Sequence, residues 1–236
     1  MVEAVQALEW YNGVAVYATY EDDCGITYTD YSRIVKFRGG KIKELASEAQ
    51  RLKAKSNLGA RFDDRTFDNF DVAIQPRAYS MAADFADRED LFTAEKNSLI
   101  LMGEQGTGKT HLAAAIANTL IGRGIPVLFA TYTDHLATLK EEFKKTGDYM
   151  SKLGSTPLLV IDDLGKEVQG EWANSMLFTI VNHRYEHKLP TVITTNLCDK
   201  ELQDKYGKSI VSRLIEMAYA ITMNNGDYRL LKGIKK

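Results

Sequence analysis

The eight residues Gly103–Thr110, GEQGTGKT, follow the pattern GxxxxGK[ST]. Glycines in such a loop let backbone N–H groups approach phosphate oxygens, and a helix that begins where the loop ends adds further unpaired N–H groups. Lys109 can then reach the β- and γ-phosphates, and the hydroxyl of Thr110 can ligate Mg²⁺. The pattern predicts a nucleoside triphosphate site formed by Gly103, Glu104, Gln105, Gly106, Thr107, Gly108, Lys109, Thr110 and His111.

Two adjacent carboxylates follow a run of apolar residues in LLVIDDLG, residues 158–165. If the run is a buried strand, Asp162 and Asp163 lie at its carboxyl end, where open parallel sheets bind their ligands. There Asp162 can hold the magnesium shell and Asp163 can orient an attacking water. Two acids that merely begin a surface loop would not explain the apolar run directly before them.

Thr195 and Asn196 end another apolar run, VITTN. A short polar side chain at the end of a strand can hydrogen-bond the γ-phosphate or the water. A turn residue that bonds its own backbone would give the same pattern. The pattern alone leaves both interpretations open.

From residue 76 onward, helical and apolar strand patterns alternate along the chain. Short continuous apolar strands that are separated by helices are typical of a parallel sheet covered on both faces. We therefore predict an α/β fold. The predicted strands are 98–102, 125–132, 156–164, 190–196 and 218–223, and the predicted helices are 76–90, 109–123, 133–146 and 171–188.

The first 60 residues have a different pattern, and we predict a small α+β module over 1–60, followed by the domain with the triphosphate site over 61–236. Residues 14–31 are rich in Tyr, Val and Thr around an acidic turn, which predicts a β-hairpin. A predicted helix follows and ends at Asn57. Residues 33–55 carry eight basic residues against two acidic ones, which can be a solvated face or can meet nucleic acid or an acidic partner. Phe62, Phe67 and Phe70 then lie in a connector and need something to pack against.

The composition excludes several classes of protein. The formal charge is −2, and no apolar run approaches the roughly 20 residues that cross a bilayer. The first residues are acidic where a signal peptide would be basic, so we expect a cytoplasmic protein without a membrane partner. Cys24 and Cys198 are far apart, which argues against a disulfide framework and a cysteine-based zinc site.

The ordered motifs resemble the AAA+ ATPases, and more specifically the DnaC/DnaI-type replicative helicase loaders and their IstB-like relatives, in a phage- or mobile-element-type form. The resemblance covers about residues 62–231. It depends on the runs GKTHLAAAIANTL, LLVIDDLGKE, LFTIVNHRYEHKLPTVITTNL, SIVSRLIEM and NNGDYR. It implies a P-loop AAA+ sheet that binds ATP and Mg²⁺.

The resemblance also implies roles for individual residues. Arg213 in VSRL matches the arginine finger, which reaches the γ-phosphate of a neighbouring subunit's ATP, so a homo-oligomer is implied in the ATP-bound state. Asn196 matches the first sensor, and Arg229 in GDYR matches the second sensor arginine. In the family, the helix after the second strand faces single-stranded DNA. The implied DNA contacts are Lys140, Phe143, Lys144 and Lys145, and by position Trp172. In the alternative interpretation, Phe143 belongs to the core and the lysines form a solvated face.

Two features of the sequence depart from the family pattern. Asp163 stands where AAA+ proteins usually carry Glu, and the shorter side chain suggests slow, switch-like hydrolysis. Some loaders carry a Cys/His zinc site in the N-terminal module, but here that module offers only Cys24, and the first histidine is His111. Residues 1–60 are therefore predicted to dock the helicase by another device.

The sequence thus predicts an ATP-dependent loader of a hexameric DnaB-type replicative helicase onto single-stranded DNA. An IstB-type transposition ATPase that remodels duplex DNA is the first alternative, and a small-molecule kinase that uses the same P-loop is the second. The run HRYEH, residues 183–187, fits the zinc-protease pattern HxxEH. We interpret it as part of an ordinary helix, because it lies inside the loader-like stretch.

Overall fold

A computed structural model describes residues 49–142 and 148–224, together with the backbone of six short strands before residue 36. These six strands form three antiparallel pairs. The pair of β4 with β5 is the hairpin that the sequence predicts. The first part of the predicted basic helix, as well as Phe143, Lys144, Lys145 and Arg229, lies outside the described residues. The strands are β1 (Ala4–Val5), β2 (Trp10–Tyr11), β3 (Val14–Ala15), β4 (Ala18–Glu21), β5 (Thr27–Asp30) and β6 (Ile34–Val35).

Five parallel strands form the central sheet, in the order β11-β7-β10-β9-β8. Three of them, β7, β9 and β10, are buried along almost their whole length, which explains their continuous apolar sequences. The predicted parallel sheet is therefore confirmed. The strands are β7 (Ser98–Gly103), β8 (Val127–Thr131), β9 (Leu158–Leu164), β10 (Thr191–Thr195) and β11 (Ala218–Met223).

Helices cover both faces of the sheet, as predicted. Alternate residues of each strand point to opposite faces, so Leu99 and Leu101 belong to one core cluster, and Ile100 belongs to the other. The sequence analysis did not assign α5, α7 or α8. None of the described helices is long and apolar enough to cross a membrane. The helices are α1 (residues 49–55), α2 (Pro76–Asp87), α3 (Lys109–Gly122), α4 (Tyr132–Glu142), α5 (Asp148–Ser155), α6 (Glu171–Glu186), α7 (Asp199–Tyr206) and α8 (Lys208–Met217).

The segment before α2 packs against the sheet and α3. The N–H of Phe129 in β8 donates to the carbonyl of Ser56 at 2.7 Å, and the rings of Phe62 and Phe129 lie 5.6 Å apart. Phe67 and Phe70 both pack on Tyr79 of α2. The three connector phenylalanines thus find their packing partners on this domain. The boundary at residue 60 stays a prediction.

Arg184 of α6 is a fully buried cation at the amino ends of β9 and β10. Burial lowers the pKa of its guanidinium to about 9. Its donors are satisfied by backbone carbonyls and one hydroxyl, so it joins α6 to the chain segments that lead into both strands. The acceptors are the carbonyls of Leu153, Thr156, Pro157 and Pro190, and Oγ1 of Thr191.

Candidate functional site: a nucleotide cleft

The glycine-rich loop connects the carboxyl end of β7 to the first turn of α3. Gly103 and Gly108 have φ angles of 133° and 99°, which favour glycine. A Cβ at Gly103 would lie 2.2 Å from the carbonyl oxygen of Met223, and one at Gly108 would lie 2.8 Å from the ring of Phe70. Both positions therefore require glycine, because of the backbone conformation and because a side chain would clash with its neighbours.

The side chain of Lys109 lies along the inside of this loop. Its Nζ donates to the carbonyls of Gly103 at 2.8 Å and Glu104 at 2.7 Å, and the residue is 5% exposed. Thr107 braces the same turn, because its hydroxyl donates to the carbonyl of Glu104 at 2.9 Å. The loop thus holds an ammonium group at the point where α3 begins. Gly103 and Glu104 support Lys109 in this way, whereas Gln105 to His111 line the cleft itself.

Asp162 is the buried centre of the site. Its carboxylate accepts the hydroxyl of Thr110 at 2.9 Å and that of Thr194 at 2.5 Å. Burial raises the pKa of Asp162. A buried carboxylate beside the hydroxyl of Thr110 is a donor set that suits a hard divalent cation such as Mg²⁺.

Asp163 and Asn196 lie at the mouth of the cleft. The carboxylate of Asp163 pairs with Lys166 at 2.8 Å, and Asn196 is half-buried on the cleft wall. Thr195 is different, because its hydroxyl is buried and donates to the carbonyl of Leu164 at 2.7 Å. Of the two interpretations of Thr195, the structure favours a residue that bonds the backbone, and the β10 hydroxyl that contacts Asp162 belongs to Thr194.

Sequence reasoning missed one wall of the cleft, which has a volume of about 430 Å³. This wall comes from the connector before α2. His111 fixes it, because its Nε2 lies 2.9 Å from the carbonyl of Thr66 and its ring makes a T-shaped contact with Phe70, with the centroids 5.2 Å apart. The three phenylalanines were the available signal, since a connector with that much apolar surface must pack on something. The wall residues are Arg61, Phe62, Arg65, Asn69, Phe70, Asp71 and Ile74.

Arg213 lies on α8, and the described wall of the cleft does not include it. Its guanidinium carbon is 5.4 Å from the ring centroid of Phe178 and 5.9 Å from that of Tyr185, both on α6. Its Nη1 donates to the carbonyl of Ser209 at 3.0 Å. Phe178 exposes 40% of its surface. Arg213 thus lies beside an exposed aromatic ring on the surface formed by α6 and α8.

Two of the predicted DNA contacts meet in the structure. Nζ of Lys140, at the end of α4, lies 5.0 Å from the ring centroid of Trp172, at the start of α6. Lys140 is exposed and Trp172 is half-buried. A cation and an aromatic ring are thereby placed side by side on the surface.

The HRYEH run lies at the carboxyl end of α6, so its interpretation as part of a helix is confirmed. His183 and His187 stack at 4.1 Å, and Nδ1 of His187 faces the carbonyl of His183 at 2.8 Å. Across the described residues there is no group of three His, Cys, Asp or Glu side chains that could hold a metal ion.

Residues 40–235 match the model of the family described as IstB-like ATP binding protein. Over 175 residues the chain is 31% identical to the replicative helicase loader DnaC of Escherichia coli K12, which covers 72% of this chain and 70% of DnaC. It is 27% identical over 204 residues to the phage-like element PBSX protein XkdC of Bacillus subtilis 168, with 80% of this chain and 76% of XkdC covered.

Comparison with solved structures also finds proteins of DNA replication. The crystal structure of the DnaC helicase loader superposes with a TM-score of 0.64 and 26% identity, covering 70% of this chain and 100% of that one. A replication initiator DnaA bound to AMPPCP and single-stranded DNA superposes with a TM-score of 0.59 and 25% identity, covering 76% and 57%. These likenesses confirm the predicted AAA+ fold and the predicted kinship with helicase loaders.

Proposed function

Because the chain belongs to the IstB-like family of ATP-binding proteins, we propose that it is an ATPase that loads a hexameric replicative helicase onto single-stranded DNA. The observation that carries the proposal is the nucleotide cleft around Lys109 and Asp162, together with an arginine, Arg213, that lies outside the described wall of this cleft. Kinship with a replicative helicase loader supports the identity of the partner.

ATP would bind with its phosphates on the glycine-rich loop. Lys109 would exchange the carbonyls of Gly103 and Glu104 for the β- and γ-phosphate oxygens, while the backbone N–H groups of the first turn of α3 bind the remaining charge. Thr110 and Asp162 would hold Mg²⁺, which supplies charge neutralisation between the phosphates. Asn196 and Asp163 would orient the water that attacks the γ-phosphorus as the bond to the leaving ADP oxygen breaks.

Arg213 would act on the ATP of a neighbouring subunit. Its position outside the described wall of its own cleft supports that role, as does the exposed aromatic surface of Phe178 beside it. A guanidinium suits the task because it stays charged and donates in a fork. The γ-phosphate would then stabilise a homo-oligomer, and hydrolysis would release it. The pairing of Asp163 with Lys166 fits slow turnover, since the carboxylate is already engaged.

Single-stranded DNA would lie across the end of α4 and the start of α6. Trp172 can stack on a base and Lys140 can neutralise a phosphate, which is the usual chemistry of unspecific strand binding. Phe143, Lys144 and Lys145 continue the same segment of the chain and are proposed as further contacts. Likeness to a DnaA that is bound to single-stranded DNA supports the binding of a single strand, although not a particular surface for it. Arg229 is proposed as a second nucleotide sensor.

The experiment that tests the proposal is a loading assay. The full-length protein, a DnaB-type hexameric helicase, ATP and a circular single strand coated with single-strand-binding protein are combined, and helicase retained on the circle is counted. We expect retention with the wild-type protein and a loss to background with Lys109→Ala. The Lys200→Gln variant, altered at an exposed lysine on α7, is the matched control. Equal retention with and without the wild-type protein would refute the loader function.

A second candidate function is supported by the family match itself. IstB-type transposition ATPases remodel duplex DNA. The family model that matches this chain is described as IstB-like ATP binding protein. Sedimentation with ATP and either duplex or single-stranded DNA of equal length separates the two. Filaments that form only on duplex would favour the transposition function, whereas preference for the single strand and binding to helicase would favour the loader.

A further inference from the structure

Glu167 is a buried carboxylate that the proposed chemistry does not use. It lies five residues after Asp162, beyond the end of β9, and its side chain is only 1% exposed. Its Oε2 accepts the backbone N–H of Gly165 at 3.0 Å, within the loop that follows the two acids. One oxygen of Glu167 therefore fixes the conformation of the loop that leaves the catalytic strand.

The other oxygen of Glu167 faces the last turn of α7. Oε1 accepts the hydroxyl of Tyr206 at 2.6 Å and pairs with Nζ of Lys205 at 2.9 Å. The same Nζ donates to the carbonyl of Gly165 at 2.6 Å. Burial raises the pKa of Tyr206, so its phenol keeps the proton that it donates. Nζ of Lys205 also donates to the carbonyl of Glu167 at 3.3 Å, so four polar contacts join the loop after the acids to the buried end of α7.

The end of α7 leads directly into the helix that carries the arginine finger. Only Gly207 separates α7 from α8, and Arg213 lies in the second turn of α8, seven residues after Tyr206. A movement of the loop after Asp163 would be transmitted to α8 through Glu167, since a packed charge cluster has few alternative arrangements. The loop belongs to a subunit's own cleft, whereas Arg213 serves the cleft of its neighbour.

We infer that Glu167, Lys205 and Tyr206 are positioning residues that couple the cleft of one subunit to the arginine finger which that subunit offers to the next. This inference rests on the proposed action of Arg213 between subunits. It predicts that a subunit without the cluster keeps a competent cleft of its own but offers a misplaced finger. Loss of the cluster should therefore impair ATP hydrolysis only at those interfaces to which the altered subunit contributes Arg213.

The test is ATP hydrolysis in mixtures of full-length variants with a single-stranded oligonucleotide present. Glu167→Gln/Lys205→Met replaces the buried ion pair by a neutral pair, which avoids leaving one charge alone in the interior. Glu95→Gln/Lys188→Met makes the same change at an exposed ion pair elsewhere and is the matched control. Alone, the cluster variant is expected to lose tenfold or more of its rate, as Arg213→Ala does, while the control keeps the wild-type rate.

The decisive partner is Asp163→Asn, which hydrolyses poorly itself but offers an intact Arg213. An equal mixture with the cluster variant is expected to recover about a quarter of the wild-type rate, because random head-to-tail assembly joins an intact cleft to an intact finger at that share of interfaces. A mixture of the cluster variant with Arg213→Ala is expected to stay inactive.

Two results would overturn the inference: a wild-type rate for the cluster variant alone, or no recovery with Asp163→Asn under conditions where Arg213→Ala does recover with it. If Arg213→Ala itself fails to recover, the action of the finger between subunits is refuted, and the inference falls with it. Should the double variant fail to fold, as judged by its circular dichroism melt, Tyr206→Phe keeps the ion pair and is used in the same mixtures.

Discussion

Thr194 connects the two acids of the nucleotide cleft, because its hydroxyl donates to Oδ1 of Asp162 at 2.5 Å and accepts the backbone N–H of Asp163 at 2.9 Å. It comes from β10, the strand next to β9, and is fully buried. The orientation of the proposed magnesium ligand is therefore set from the neighbouring strand. Such supporting contacts are typically worth a tenfold to hundredfold change in metal affinity.

The Thr194→Val substitution tests this relationship. It keeps the shape of the side chain but removes the donor to Asp162 and the acceptor for Asp163. We expect the Mg²⁺ concentration at half-maximal ATP hydrolysis to rise about tenfold to hundredfold, and Thr194→Ser to restore it. A magnesium titration at fixed ATP measures the effect. An unchanged titration with Thr194→Val would show that Thr194 does not orient the ligand.

The Asp162→Asn substitution should separate stability from function. Burial raises the pKa of Asp162, so keeping this carboxylate charged at neutral pH costs folding free energy. An amide has no such cost and can still accept from Thr110 and Thr194. We expect the nucleotide-free protein to melt about 2–4 °C higher, the shift that roughly 1 kcal/mol gives in a chain of this size, while Mg²⁺-dependent ATP binding is lost. A lower melting temperature would contradict this prediction.

His135 should make the protein sensitive to acid. It is fully buried between the phenol of Tyr149 and the carbonyl of Val160, and burial lowers its pKa from 6.5 to about 4. The unfolded chain therefore binds a proton more readily, so the contribution of His135 is present above pH 6.5 and is lost as the pH falls toward 4. The loss amounts to about 3 kcal/mol, at 1.36 kcal/mol for each pKa unit.

Urea unfolding at pH 7 and pH 4.5 measures this effect in the wild-type protein and in His135→Gln. Glutamine can donate to Val160 and accept from Tyr149 but does not titrate. Other groups titrate equally in both proteins, so the difference between them isolates His135. Identical losses of unfolding free energy on acidification in the two proteins would exclude His135 as the source.

Trp172 and Lys140 should contribute differently to the binding of single-stranded DNA. Loss of one stacked base is worth about 1–3 kcal/mol, so Trp172→Ala should weaken binding roughly tenfold to hundredfold at every salt concentration. Lys140→Gln should instead lower the salt dependence by about one phosphate contact. Fluorescence anisotropy of a labelled oligonucleotide over a salt series measures both, with Lys200→Gln as the control. If both variants bind like the control, DNA does not cross this surface.

Much of the cleft could be predicted because its chemistry is local in sequence. Gly103, Lys109 and Thr110 are constrained by spacing alone, and the two acids lie where an apolar strand must end. Thr194 could not be predicted, because the choice between it and Thr195 depends on which side of β10 faces the acids. A strand alternates its side chains, and the register of β10 against β9 is irregular between Ile193 and Thr195.

The burial of Arg184 and Glu167 could not be predicted from the pattern of residues along the chain. Each is a charged residue in a polar stretch, and such residues are usually exposed. Both are buried here, and the partners that satisfy their charges include residues that are 31 and 39 positions away in the chain. The sequence analysis did not predict the short helices α5, α7 and α8, because eight or ten residues show too little periodicity to distinguish a helix from a loop.

The central claim is that ATP binds where two copies of the chain meet and that Arg213 completes the neighbour's cleft. Sedimentation velocity of the full-length protein tests it most directly, with Mg²⁺, a non-hydrolysable ATP analogue, an oligonucleotide and helicase supplied. We predict a shift of the wild-type protein to a larger species that depends on the analogue and is reduced at least tenfold in its apparent association constant by Arg213→Ala. A wild-type protein that remains monomeric under all of these conditions would contradict the claim.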